Sequence, residues 1–320
     1  MVQDETYFET HDGTKLYLYR WSPVGELKAV LHVIHGMSEH ALRYRPLAEK
    51  LTSAGIEVWA ADQRGHGRTA DLTVNKPEKG GLLGHCADGN GFIRVTADIR
   101  ALNEEIRKTK NVPLFLLGHS WGSFIAQNYI EYSNSGGPND IKIDGCILSG
   151  TKGPGDFMVK LGLPVMTMVA AIKGQRSVSR FARSLADGAY NKKYKPNRTS
   201  FDWLSRDEKE VDKFIEDPLC GFMCSTGFYR NLAKILYNIH HPDSMTRIDK
   251  NLPVYVFSGS GDPVGDMGKS PTALVNAYRN LGVKDCEFVL YPGARHEALN
   301  ETNRDEVIDN LISWIKKKCE

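Results

Sequence analysis

Residues 112–123 read VPLFLLGHSWGS. An apolar run stops at Gly118, Ser120 stands between His119 and Trp121, and Gly122 follows. A continuous apolar run bounded by glycine is the pattern of a strand buried on both faces of a sheet. The next residues, SFIAQNYIEYS, have the spacing of a helix. A serine at such a junction has two readings. It is the N-cap of the helix, or it is presented for chemistry on a sharp strand-to-helix turn.

Strand-like segments of the same kind lie on both sides. AVLHVIHG (29–36) leads into a helical pattern closing at Gly55, and IEVWAADQ (56–63) precedes a loop and a helical run near 92–110. DGCILSG (144–150), LPVYVFSG (252–259) and CEFVLYPG (286–293) complete the set, with helices predicted near 271–281 and 304–318. TYFETHD and LYLYRWS alternate as an edge hairpin does. The pattern predicts an α/β fold, with a mostly parallel central sheet of about eight strands covered by helices on both faces.

Residues 153–247 break this rhythm with several helical stretches and no buried strand. They predict a helical cap inserted between strands six and seven, leaving 1–152 and 248–320 as the core. Within the cap, Gly162 and Pro164 divide DFMVKLGLPVMTMVAAI into short pieces, and Trp203 reads as an anchor of cap packing.

The bulk properties exclude several classes. A chain of 320 residues with 41% apolar and 25% charged residues is an ordinary globular protein with room for a large core. A net charge of +2 without a dense basic stripe argues against a nucleic-acid partner. MVQDETYFETHDGTK has no apolar signal core, and no apolar run reaches about 18 residues, so the sequence predicts a soluble, cytoplasmic protein. The six cysteines are scattered and read as free thiols; Cys220 and Cys224 have no second pair to complete a zinc site.

The rest of the chain decides between the two readings of Ser120. Gly-X-Ser-X-Gly between a buried strand and a helix is the nucleophile elbow of α/β-hydrolases, in which an acid and then a histidine follow in chain order. GSGDP places Asp262 just past one strand and GARHE places His296 just past the next, at the sheet end where such sites form. Asp266 is the rival acid, set aside because Asp262 follows its strand directly. A second oxyanion donor is expected from the loop after an earlier strand, and HGMSEH (35–40) fits, pairing the Met37 N–H with that of Trp121. A metal site from His35, Glu39, His40 and His66 lacks helical spacing, and DQRGHG (62–67) reads as a glycine loop that positions its neighbours. No metal or other cofactor is expected.

Together HGMSEH, DQRGHGRT, GHSWGS, SGSGDP and YPGARHE resemble the monoacylglycerol lipase and lysophospholipase-like branch of the serine α/β-hydrolases, of serine aminopeptidase S33 type. The resemblance runs from about residue 8 to 318 and is weakest over 153–247. It implies an α/β-hydrolase fold, Ser120 as nucleophile, Asp262 as acid, His296 as base, Met37 and Trp121 as oxyanion donors, and a helical cap over the pocket. Ser38 and Trp121 stand where many relatives have Gly and Met.

The expected activity is hydrolysis of carboxylic esters of lipid-like substrates through an acyl-enzyme. An aminopeptidase or thioesterase with the same triad, and a non-catalytic binding protein of the same fold, are the alternatives. The expected partner is a small ester or lipid, bound by His119, Phe157, Leu161 and Met166. The Met-rich cap surface is a candidate for transient membrane contact.

Overall fold

The computed structural model describes residues 1–320 except 135, 136, 138, 139, 156 and 187, and except the side chains of 157–160. Eight strands form one sheet in the order β1-β2-β4-β3-β5-β6-β7-β8. They are β1 (Val2–Glu9), β2 (Lys15–Ser22), β3 (Ala29–Ile34), β4 (Ile56–Ala61), β5 (Leu114–His119), β6 (Gly145–Ser149), β7 (Val254–Gly259) and β8 (Cys286–Tyr291). β1 and β2 are antiparallel at the edge; from β4 to β8 every pairing is parallel.

The apolar runs are continuous because each central strand feeds two cores. Val30, Ile34, Leu114, Leu116, Cys146 and Val254 face one core; Leu31, Val33, Phe115, Leu117, Ile147 and Tyr255 face the other. The first core is closed by α2 (Gly91–Thr109), α3 (Trp121–Tyr132) and α9 (Lys269–Asn280), and the second by α1 (Arg45–Ser53) and α10 (Arg304–Cys319). This alternation is the period-two geometry of a strand with both faces covered.

Between β6 and β7 the described chain forms α4 (Phe157–Lys173), α5 (Arg180–Ala186), α6 (Glu208–Glu216), α7 (Thr226–Ile239) and α8 (Pro242–Met245). α4 packs along α7, and α7 rests on α3. Two expectations need correction. Gly162 and Pro164 do not divide α4: the helix continues through both. Proline removes one backbone bond, and this helix lies at the surface, where water can take the freed carbonyl. The first strand of the edge hairpin also starts earlier than TYFETHD, because pairing extends to Val2 opposite Ser22, and it stops at Glu9 because Thr10 and Asp12 build the turn, with Asp12 accepting from the Thr14 N–H at 3.1 Å.

The sheet order fixes where a site can form. The chain passes from β3 to β4 on one side and then crosses from β4 to β5 on the other, so the strand order reverses at β3 and opens a crevice beyond the C-terminal strand ends. In register, Ile34 lies opposite Gly118 and His119 opposite Ser149. The 35–40 loop and the turn at Ser120 are therefore neighbours.

Candidate active site

β5 ends at His119 and α3 begins at Trp121, so Ser120 alone makes the turn, at φ 52° and ψ −121°. An N-cap has extended backbone and its side chain accepts an N–H of the first turn. Ser120 does neither: its side chain caps nothing in α3, and the Ser123 N–H goes to the Ser120 carbonyl at 2.9 Å. A non-glycine residue at this φ costs on the order of 1–3 kcal/mol and persists only where its surroundings enforce it. Here the Ser120 N–H is held by the Ser149 carbonyl at 2.9 Å.

The glycines are required by contact. A Cβ on Gly118 would stand 2.6 Å from the Gly122 carbonyl carbon, and one on Gly122 would stand 2.6 Å from the His35 carbonyl oxygen. Strand, helix and the 35–40 loop thus meet at backbone distance around Ser120.

His296 and Asp262 are brought together from the ends of β8 and β7. The His296 Nδ1 lies 3.0 Å from both Asp262 carboxylate oxygens, and both residues are buried. Asp262 also accepts the Val264 N–H at 2.9 Å. Burial disfavours the imidazolium, but the Asp262 carboxylate outweighs it and the His296 pKa is raised. Asp266 is elsewhere: its side chain is 68% exposed, beside Lys269.

Met37 and Trp121 both line the cavity at Ser120. Trp121 is the first residue of α3, where the N–H groups have no acceptor within the helix. Its ring stacks on His66 with centroids 5.4 Å apart. Met37 lies between Gly36 and Ser38, and a Cβ on Gly36 would reach the Ser120 Cβ at 3.2 Å. The loop is clamped by Glu39, which accepts the Gly36 N–H at 2.5 Å and the Tyr44 hydroxyl at 3.0 Å.

Two cavities adjoin Ser120. The larger, about 230 Å³, is lined by Met37, Ser120, Trp121, Phe124, Leu161, Val165, Met166, Leu185, Tyr229, Leu232, Leu236 and Val264 among others. Lys152 is the one charged residue on this wall among the described residues. The smaller, about 50 Å³, holds Ser120, His296, His119, Glu39, Glu297 and Arg183. Leu161 and Met166 thus line the larger cavity. Phe157 lies outside the residues whose side chains are described. His119 is on the smaller cavity instead, with its Nδ1 3.2 Å from the Ser149 hydroxyl and its pKa pushed down to about 4 by burial.

Two features escape the sequence reading. Arg43 donates to Glu39 at 2.6 Å and to both oxygens of Glu297 at 2.8 and 2.7 Å, tying the 35–40 loop to the residue after His296. Its partners adjoin predicted site residues, but 254 positions separate Arg43 from Glu297. Trp203 is not only an anchor of packing: it lines both cavities and its ring lies 5.1 Å from that of His296. His35, His66, Glu39 and His40 do not gather around a metal, since the His35 Nδ1 donates to the Gly36 carbonyl and its Nε2 accepts the Gln63 N–H at 2.9 Å. DQRGHG does position its neighbours: the Asp62 carboxylate accepts the Ala41 N–H at 2.8 Å and the Arg68 N–H at 2.7 Å.

A family model for serine aminopeptidase S33 matches residues 25–303. The monoacylglycerol lipase of Mycolicibacterium smegmatis is 26% identical over 315 residues, covering 98% of this chain and 97% of that protein. The monoglyceride lipase of Homo sapiens is 26% identical over 328 residues, covering 99% and 91%. Among solved structures, a highly thermostable carboxyl esterase from Bacillus coagulans in complex with glycerol superposes with a TM-score of 0.88 at 26% identity, covering 100% of both chains.

Proposed function

We propose that this chain, which belongs to the serine aminopeptidase S33 family, is a carboxylic ester hydrolase that cleaves monoacylglycerol-like lipids at Ser120. One observation carries the reading. An apolar cavity of about 230 Å³ ends on a serine held in the elbow conformation, and a buried histidine oriented by Asp262 borders the adjoining cavity.

In the proposed cycle His296 takes the Ser120 proton as the hydroxyl attacks the ester carbonyl. Asp262 holds the imidazole with its proton on Nδ1 and stabilises the imidazolium. The Met37 and Trp121 N–H groups receive the oxyanion, each donor supplying about 3 kcal/mol of transition-state stabilisation. His296 returns the proton to the leaving alcohol, and water then releases the acyl group by the same steps. The acyl chain lies along Leu161, Met166 and Leu236. Residues 153–247 act as the cap.

The charge pattern disfavours an aminopeptidase. The larger cavity carries Lys152 rather than a carboxylate, and at the smaller one Glu39 and Glu297 are both engaged by Arg43. A substrate ammonium group finds no free counter-charge in either among the described residues. The relatives' names supply the substrate class: the mycobacterial and human proteins are a monoacylglycerol lipase and a monoglyceride lipase.

No helix among the described residues is long and apolar enough to cross a membrane. Leu161, Met168, Ile172, Phe181 and Leu185 are nonetheless exposed on α4 and α5, and two of them line the mouth of the larger cavity. This surface is proposed to touch the lipid interface during substrate uptake. Ile172→Glu then slows hydrolysis of vesicle-borne substrate while sparing soluble p-nitrophenyl esters.

The deciding experiment is a panel of monoacylglycerols, lysophospholipids, p-nitrophenyl esters and amino-acid amides at matched concentration. Monoacylglycerols are expected to turn over fastest, and a fluorophosphonate is expected to label Ser120. Ester turnover surviving in Ser120→Ala, or amides outpacing every ester, overturns the reading.

A further inference from the structure

The turn after α6 docks on the loop that carries Met37. The Gly221 N–H donates to the Ser38 carbonyl at 2.9 Å, and the Ser38 hydroxyl donates to the Phe222 carbonyl at 2.9 Å. Three ligand-type side chains meet at this seam. The His40 Nε2 lies 2.8 Å from an Asp217 oxygen, and these atoms and the Cys220 sulfur all lie within 4.8 Å of one another. His40 comes from one side of the seam, Asp217 and Cys220 from the other.

We propose that His40, Asp217 and Cys220 form a binding site for a divalent cation of the zinc type, which would bridge the turn after α6 to the oxyanion loop. Imidazole, carboxylate and thiolate are the donors that Zn²⁺ and Co²⁺ take together, with a water completing the tetrahedron. With zinc–ligand distances of roughly 2.0–2.3 Å, donor atoms in a tetrahedron stand roughly 3.3–3.7 Å apart. The His40–Asp217 pair, 2.8 Å apart, has to open to admit the ion, and the Cys220 sulfur lies no more than 4.8 Å from either donor.

Charge and support agree with the donor set. One carboxylate and one thiolate neutralise a dication, which matters where two of the three ligands are buried. The neighbouring cation, Arg43, already has Glu39 and Glu297 as partners. The Asp217 carboxylate is aimed by the Leu219 N–H, which donates to its other oxygen at 2.8 Å. Its side chain is 31% exposed, giving the ion an entry path and a place for the water.

On binding, metal–nitrogen, metal–oxygen and metal–sulfur bonds form while the His40–Asp217 hydrogen bond and the Cys220 S–H bond break. The thiol proton and the proton that His40 Nε2 donates to Asp217 both give way to the ion, and Nδ1 carries the remaining imidazole proton, so at least one proton leaves per ion. None of the three residues belongs to the proposed triad or supplies an oxyanion N–H, so the proposal stands or falls separately from the ester hydrolase reading.

The test uses the full chain stripped with a chelator and titrated with Co²⁺, then Zn²⁺. One Co²⁺ is expected to bind with a thiolate-to-metal charge-transfer band in the near ultraviolet, displaced by one equivalent of Zn²⁺. Calorimetry in buffers of different ionisation heat should show at least one proton released. Cys220→Ser should abolish the band and weaken Zn²⁺ binding at least tenfold, while its metal-free ester turnover matches wild type. Asp217→Asn, at the more exposed ligand, should weaken Zn²⁺ binding similarly and serves if the serine variant folds poorly. Absence of the band at Co²⁺ saturation, its survival in Cys220→Ser, or its loss in Cys319→Ser overturns the site.

Discussion

Gly118 and Gly122 meet backbone to backbone where β5 turns into α3, with room for a Cβ on neither. A methyl group on either would press on carbonyl groups that cannot rotate away. We predict that Gly118→Ala and Gly122→Ala each destabilise the fold by about 3 kcal/mol or more, at the upper end of overpacking costs. Urea unfolding measures this directly. A loss below about 1 kcal/mol would mean that the helix slides away from the strand more easily than these contacts imply.

The Asp262 carboxylate raises the His296 pKa against the opposing effect of burial. The base must be neutral to accept a proton, so kcat/KM should rise with pH along a limb centred above about 6.5, the ordinary histidine value. Asp262→Asn should lower kcat by about 10⁴-fold, as when the orienting acid of a triad is lost, and shift the remaining limb to lower pH. The stability effect has the opposite slope. The pair stabilises the fold below the ordinary histidine range and loses that contribution as pH rises through the raised pKa. A pH–rate series with both proteins checks the sign, and an unshifted limb in Asp262→Asn contradicts it.

Arg43 holds Glu39 and Glu297, and both carboxyl groups are kept below their ordinary pKa, burial opposing and the guanidinium prevailing. Arg43→Met should therefore cost about 3–5 kcal/mol at neutral pH, because two buried carboxylates lose their partner. Groups with depressed pKa stabilise above the ordinary carboxylate range and lose that contribution as pH falls. The gap between wild type and variant should accordingly narrow towards pH 4. Thermal melts across pH 4–8 read this, and a gap independent of pH would refute the electrostatic account.

Glu131 presents the reverse case. It is buried, neither carboxyl oxygen has a hydrogen-bond partner among the described residues, and burial raises its pKa well above the ordinary value. Here the unfolded chain ionises first, so stability falls as pH rises above the carboxylate range, by at most about 1.4 kcal/mol per pH unit. Glu131→Gln should stabilise the protein at pH 7 to 8 and have a smaller effect near pH 4. Denaturant midpoints at the two pH values decide it; a glutamine variant that is weaker at both removes the explanation.

The comparison of sequence and structure turns on distance along the chain. The strands, their two-faced burial, the elbow at Ser120 and the helical nature of the segment between β6 and β7 are all legible in the sequence. Each rests on local rules: side-chain period, glycine sterics and the chain order of motifs. The 35–40 loop could be placed beside Ser120 for the same reason, since parallel strands align their ends in register.

What only the tertiary structure decided is which groups face one another across long separations. Asp262 meets His296 while Asp266, four residues on, stays at the surface; local strand and turn geometry favoured the former, but packing made the contact. Arg43 between Glu39 and Glu297, Trp203 over His296, and His40 with Asp217 and Cys220 leave no periodic trace. Their partners approach only after the crossovers close, and an electrostatic or ring contact has no preferred sequence spacing. The backbone of the site follows from sterics written locally; its charge balance follows from topology.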